Sequence, residues 1–429
     1  MSAIGAMAEP ASVKGWCPGA LRPMQTGDGL IVRVRPRCGA ISVAQVLALC
    51  EVATRHGNGH IDLTRRANLQ IRGIDACALP EVWAALSGAG LMDAHAHAEA
   101  VRNVIVSPLA GIDPTEICDV RPIAAALEQA LADMPALWSL PGKFGFSVDG
   151  GGLLGLDGER ADIRFKAVAA EGRVGIALGV DTVEGTRWLC VLDRDEAVTA
   201  AVRLARAFVV LPKLPRARIR DLDESAFVSL RSALGDDGSA IDHASVDVSA
   251  SDRVGLIEAR GEMIAVGLGA PFGRLTAETL ALIASTAGDH AVTAFRVSPW
   301  RVLYAAVPDR DAAVALSSTA RDYGLVTVPA DPIIAIDACP GAPACRSACG
   351  DTRAAARRIA AMMPLPGVSS AHVSGCAKGC ARSRSADLVL VAGSGGFGIV
   401  RHGTAATAPN AYLAPADLND LPAILRSGA

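Results

Sequence analysis

Four cysteines toward the C-terminal end hold the most specific chemistry in this chain: Cys339 and Cys345, then Cys376 and Cys380. They read C-x5-C, thirty intervening residues, then C-x3-C. A cubane iron–sulfur cluster requires four soft anionic ligands, one for each iron. Structural zinc sites favour two tighter knuckles of the C-x2-C kind, which this spacing does not match. Pro340, Gly341 and Pro343 sit in the first pair, CPGAPAC, and Gly375, Lys378 and Gly379 in the second, SGCAKGC. Glycine and proline there keep the chain out of a helix and let backbone N–H groups turn toward anionic sulfur. The alternative is four small core cysteines, which leaves their pairing inside Gly/Pro loops unexplained. Cys349 falls close by but outside the pattern, and it reads as structural.

The elements that must position these loops show a repeat. The segment GDGLIVRVRPRCGAISVAQVLALC from Gly27 and the segment GEMIAVGLGAPFGRLTAETLALIAS from Gly261 match weakly at an offset of 234 residues, pairing Gly39 with Gly273, Ser42 with Thr276 and Thr64 with Ser298. Each copy reads strand, turn, helix, turn, strand. Val43, Val46, Leu47, Cys50 and Ala53 recur at helical spacing, with Ser42 placed to cap the start and Gly57 to close the end. His60–Leu63 and Leu69–Ile71 alternate as strands. In the second copy Leu280, Ile283 and Ala284 continue the helical face behind Thr276. Two such units predict a pseudo-two-fold pair sharing one core.

The 429 residues suffice for several domains, and 41 basic against 44 acidic side chains leave a net charge of −3. That balance argues against a nucleic-acid-binding protein. No apolar run is long enough to predict a membrane span. The opening MSAIGAMAEPASVKG lacks a basic stretch followed by an apolar core, so a cytoplasmic location is expected. Eleven cysteines, an odd number, fit reduced thiols and a cluster better than a disulfide framework. No dinucleotide or P-loop motif follows a strand. The glycine-rich run Gly393–Gly398 lacks the surrounding βαβ unit, so reducing equivalents are expected from a partner protein.

The two cysteine motifs, their order and gap, and the run from Ala381 into the apolar strand Asp387–Leu390 resemble the sulfite and nitrite reductase superfamily. The resemblance implies an α+β fold in which two ferredoxin-like half-domains in pseudo-two-fold arrangement are flanked by two α/β lobes. It places a first half-domain at 15–88, a first lobe at 89–245, a second half-domain at 246–325 and a 4Fe–4S-binding lobe at 326–429. It implies a cluster on the four cysteines, with Cys380 nearest a tetrapyrrole. Tetrapyrroles of this pathway type carry many carboxylates and need guanidinium and ammonium partners. Candidates are Arg65, Arg66, Arg102, Lys143, Arg301 and Lys378. The stretch LTRRANLQ is similar to the superfamily's T-x-R-x-x-x-Q pattern, which assigns tetrapyrrole contact to Arg66 and Gln70. Arg102, Asn103 and Lys143 join them, the last two by position in the superfamily.

The chain departs from sulfite reductases at Gly142, where those enzymes carry an arginine before the lysine of the LP-x-KF segment. No K-x-K pair follows between 150 and 240. A pocket without these charges would grip sulfite or nitrite poorly. The run from Lys14 to Pro36, KGWCPGALRPMQTGDGLIVRVRP, resembles the precorrin-3B synthase branch instead. That resemblance implies an oxygen-dependent monooxygenase of aerobic cobalamin biosynthesis, hydroxylating precorrin-3A at C-20 with γ-lactone closure. Its partners would be precorrin-3A, O2 and a separate NADH-dependent reductase. Sirohaem belongs to the alternative, an assimilatory sulfite or nitrite reductase. The branch is also associated with a mononuclear non-haem iron, for which two histidines and a carboxylate are the usual face. Among eight histidines, His95 and His97, with Asp93 and Glu99 in DAHAHAE, form the one dense group. They read as a surface run or as ligands, and His372, four residues before Cys376, is a second candidate.

Overall fold

The computed structural model describes residues 17–170, 173–212, 217–235 and 253–426. The opening residues, and the expected boundary near 245, lie outside them. Among the described residues twenty strands form four five-stranded sheets.

The two half-domains exchange a strand. Met24–Thr26, Gly29–Val34, Leu69–Ile74 and His60–Leu63 make one antiparallel sheet, which Arg274–Thr276 completes from the other half. Gly255–Ala259, Glu262–Gly269, Val302–Ala306 and Ala294–Val297 make the second, completed by Ala40–Ser42. The register is reciprocal: Thr276 opposes His60 and Ala294 opposes Ser42, which are the same two positions 234 residues apart. The repeat therefore extends to strand pairing.

It extends to backbone conformation as well. Cys38 and Phe272, then Ala67 and Arg301, are equivalent positions, and all four are non-glycine residues in the left-handed region (φ 49°, 54°, 50° and 64°). Such residues are uncommon and are held only where the surroundings fix them. Behind the sheets, the helices Val43–His56 and Ala277–Asp289 pack together. Ser42 accepts the Gln45 amide at 3.1 Å while the Gln45 side chain accepts the Ser42 amide at 3.0 Å, a complete capping box. Thr276 accepts the Thr279 amide at 3.0 Å in the equivalent place. Val46, Leu49, Leu280 and Ile283 lie in one cluster that draws on both halves, the single shared core the repeat predicts.

Each lobe adds a sheet of one plan. In the first, Val104–Val106, Phe146–Asp149 and Ile163–Ala170 run parallel and Arg173–Asp181 and Thr186–Leu192 return antiparallel. In the second, Ile336–Ala338, Ala371–Ser374 and Ala386–Gly393 run parallel and Gly396–Gly403 and Ala411–Leu413 return antiparallel. The helix Thr352–Met362, capped by Asp351, covers the second sheet. The fold is thus α+β, two ferredoxin-like halves with two α/β lobes. Ligands of such sheets collect beyond the carboxyl ends of the parallel strands. Cys339 directly follows Ile336–Ala338, and Cys376 follows Ala371–Ser374 by two residues.

Candidate active site

The four cysteines come together at that edge. Cys339 is buried, Cys345 and Cys376 are half-buried and Cys380 is exposed. Burial raises the Cys380 thiol, and Cys376, Cys339 and Cys345 all add to the shift, so the four sulfurs lie within electrostatic reach of one another. Burial likewise raises Cys376, against a hydrogen bond from the Lys378 amide and the Lys378 charge. The Gly375 amide donates to Cys339 Sγ at 3.2 Å. A Cβ on Gly375 would sit 2.5 Å from Ala348 Cβ and 3.4 Å from Cys339 Sγ, so only glycine closes this loop against the sulfur. Among the described residues no three His, Cys, Asp or Glu side chains converge tightly enough for a single metal ion. The corners of a cubane stand further apart than the ligands of one ion, and four mutually repelling thiols with amide donors fit such a group. Cys349 is exposed and uses its amide on the Gly375 carbonyl.

Behind the cysteine loops lies a network of buried charge. Asp337 accepts from Arg301 Nη1 at 3.0 Å, Arg382 Nη1 at 3.2 Å and Arg65 Nη1 at 3.4 Å. Arg301 also donates through Nη2 to the Ala381 carbonyl at 3.2 Å. Asp62 pairs in the same way with Arg72, Arg274 and Arg353. Arg65 and Arg301, two candidates for ligand carboxylates, are therefore paired within the protein.

The turn Thr64–Asn68 and the chain around it hold the remaining candidates. Thr64 Oγ1 accepts the amides of Arg66 and Asn68, both at 3.2 Å, and fixes the turn. Arg66 Nη2 donates to the Lys143 carbonyl at 2.9 Å, and Lys143 itself is exposed. Gln70 does not stand alone: its Oε1 accepts both Nε and Nη2 of Arg33, at 3.1 and 2.7 Å, across paired strands. Asn103 is buried and holds the Lys143 loop from behind, donating to the Phe144 carbonyl at 3.1 Å. Arg102 is 4% exposed and grips Asp93 at 2.9 and 2.8 Å, with Glu128 at 3.6 Å, so it faces acids of its own chain.

The structure adds residues that the spacing did not reveal. Arg33 has no ion pair among the described residues, and its Nη1 is buried without a hydrogen-bond partner. Burial pulls its guanidinium down to about 10, with Arg35 and Arg66 adding to the effect and the nearby Cys17 thiol opposing it. Arg66 is lowered by burial and by Arg218. Cys17 is brought there by the chain that follows it. The Arg33 amide donates to the Gly19 carbonyl at 3.2 Å, Trp83 Nε1 to the Ala20 carbonyl at 2.9 Å, and Ala20 to Glu99. The signal for Arg33 was available: it alternates with Val32 and Val34 on one strand.

The histidine run does not form a metal face. His95 Nδ1 accepts the Ala98 amide at 3.2 Å and the His97 ring stacks on Trp138 at 5.2 Å. Asp93 is committed to Arg102 and Arg37, and Glu99 to Arg35 and the Ala20 and Leu21 amides. His372 is 1% exposed with neither ring nitrogen hydrogen-bonded, and burial pushes its imidazole down to about 4. The donor set for a mononuclear iron is not assembled among the described residues.

Two paired half-domains, two like lobes and a four-cysteine edge define the nitrite and sulfite reductase class. Family models agree: the nitrite/sulfite reductase ferredoxin-like half domain matches residues 22–89, and the nitrite and sulphite reductase 4Fe-4S domain matches 97–222. The second match covers the lobe without the four cysteines, whose plan the cysteine lobe shares. The solved structure of the Mycobacterium tuberculosis NirA protein superposes with a TM-score of 0.74 over 92% of this chain and 80% of that one, at 21% identity, a likeness of fold. A ferredoxin–nitrite reductase of Synechococcus elongatus is 27% identical over 86% of this chain and 77% of its own. A precorrin-3B synthase of Sinorhizobium sp is 34% identical over 93% of this chain and 85% of its own length. The chain belongs to the precorrin-3B synthase family within that superfamily, an oxidoreductase family with a 4Fe–4S cofactor. No described helix is long and apolar enough to cross a membrane.

Proposed function

We propose that the chain converts precorrin-3A to precorrin-3B in aerobic cobalamin biosynthesis, hydroxylating C-20 and closing a ring A acetate to a γ-lactone. One oxygen atom would come from O2 and two electrons from a separate NADH-dependent reductase, in the cytoplasm. The observation that carries this reading is the charge gathered beside the turn Thr64–Asn68. Arg33 and Arg66 have no ion pair of their own among the described residues, whereas Arg35 and Arg102 are neutralised by Glu99, Asp93 and Glu128. Half-buried guanidinium groups with no ion-paired acid suit a ligand that brings several carboxylates. A pocket with Gly142 in place of a charge suits a small anion less well.

On this reading Cys339, Cys345, Cys376 and Cys380 hold the cluster, which supplies electrons one at a time. Arg33 and Arg66 orient the substrate, Gln70 holds Arg33, and Lys143 closes the open side. Arg102 and Asn103 act from behind, Arg102 through the acids it holds and Asn103 on the Lys143 loop. The functional units are the half-domains at 15–88 and 246–325 and the lobes at 89–245 and 326–429.

A visible spectrum of freshly purified protein, with a sulfite assay, tests the proposal. A broad brown shoulder and no sulfite reduction is the expected result. Strong Soret and red bands with sulfite reduction would make the protein a sirohaem reductase like its more distant relatives.

A further inference from the structure

Asp337 stands at a junction of two sites. It lies two residues before Cys339, on the strand Ile336–Ala338. Two of its arginines reach the other end of the cysteine set: Arg382 follows Cys380 by two residues, and Arg301 holds the Ala381 carbonyl. The third, Arg65, is the neighbour of Arg66 in a turn fixed by Thr64 Oγ1 and by left-handed Ala67. Side chains of Asp337, Arg301 and Arg382 are 16%, 12% and 11% exposed, so water screens these contacts little. An exposed pair would count for little, but removing one member of a buried network leaves the others uncompensated. The turn cannot shift Arg66 toward a ligand without moving Arg65, and Arg65 cannot move without changing what Asp337 offers to Arg301 and Arg382.

We infer that Asp337 is a positioning residue shared by both sites, through which tetrapyrrole binding at Arg66 changes the reduction potential of the cluster. The inference rests on the functional reading above. By thermodynamic reciprocity, the reduced and oxidised proteins must then bind the tetrapyrrole with different affinity. A polycarboxylate adds negative charge, so it should bind the reduced protein more weakly, by about tenfold, which is roughly 59 mV for a one-electron couple.

The test is a potentiometric titration of the cluster signal in the full chain, without O2, with and without precorrin-3A. Asp337→Asn removes a negative charge behind the cluster and should raise the substrate-free potential. Arg65→Gln removes a positive one and should lower it; opposite signs are not what general loosening would give. In both variants the substrate-induced shift should fall below half that of the parent, and Asp337→Glu should restore it. Arg65 has a side chain 29% exposed, so its variant serves should Asp337→Asn fail to assemble a cluster. Variants that bind precorrin-3A and keep the full shift overturn the inference, as does a parent that binds it with no shift. A parent that does not bind precorrin-3A overturns the functional reading itself.

Discussion

The backbone amide of Gly27 donates to the carbonyl of Ala344 at 3.1 Å, so the first turn of the first half-domain is fastened to the loop between Cys339 and Cys345. Arg72 Nη2 reaches the same carbonyl at 3.2 Å and is itself held by Asp28 at 2.6 Å. There is no room at this junction: a Cβ on Gly27 would lie 2.0 Å from the Pro343 carbonyl oxygen. Gly27→Ala should therefore push the Cys339–Cys345 loop away, at a cost of about 1–3 kcal/mol, the usual penalty for overpacking. Urea unfolding together with iron and sulfide analysis would show it, and a variant with parental stability and full iron would refute the contact's importance.

Serine or alanine at Cys339, Cys345, Cys376 or Cys380 should abolish the brown chromophore and most activity, because on the proposed reading each thiolate serves one iron. Cys349→Ala should keep the cluster, since its thiol is exposed and outside the set. Cys50→Ala should keep it too, being a core residue of the helix Val43–His56. A Cys376→Ala protein with full iron and sulfide would contradict the ligand assignment.

Arg66→Ala, Arg33→Ala and Lys143→Ala should each weaken precorrin-3A binding by about 1.5–3 kcal/mol, the worth of a charge-assisted contact, with the cluster intact. Arg102→Ala should behave differently. It leaves the buried carboxylates of Asp93 and Glu128 with only the half-exposed Arg37 as a counter-charge, so it should lower stability by about 3 kcal/mol. Calorimetry on the four variants separates binding from stability, and an Arg102→Ala protein with parental melting but lost binding would put that arginine on the ligand.

Much of this was legible because it is local. The Ser42 and Thr276 caps join residues three apart, and the helix faces follow from spacing except at Leu47, which is 40% exposed while Leu49 and Val52 are buried. The strand exchange was not, since Ala40–Ser42 and Arg274–Thr276 are three residues each and sequence period does not name a strand's partner. Nor could spacing tell Arg66 from Arg102. Both are arginines beside a turn, and only the folded chain brings Glu128 back against Arg102. The role of Gln70 depended on the same kind of fact, because its cross-strand neighbour Arg33 is 37 residues away.

Acid stability should depend in part on Asp387. The Ser369 hydroxyl, then the Ser369 and Ser370 amides and the Ser370 hydroxyl, hold its carboxyl down to about 2 from an ordinary 3.8. A depressed carboxyl contributes stability that is present above the unfolded value and lost as pH falls through the folded one. The contribution should therefore hold above about pH 4 and disappear toward pH 2. Asp387→Asn should be less stable than the parent at neutral pH and lose less between pH 4 and 2. Equal slopes of melting temperature against pH in that window would contradict the assignment.

Incorporation of labelled dioxygen tests the proposed monooxygenation most directly. Purified protein, precorrin-3A, NADH and a compatible reductase are incubated under labelled O2, and the product is analysed by mass spectrometry. One labelled oxygen atom should appear in precorrin-3B, with none when the gas is unlabelled and the water labelled. A product carrying oxygen only from water, or no product from a protein that holds its cluster and binds precorrin-3A, would contradict it.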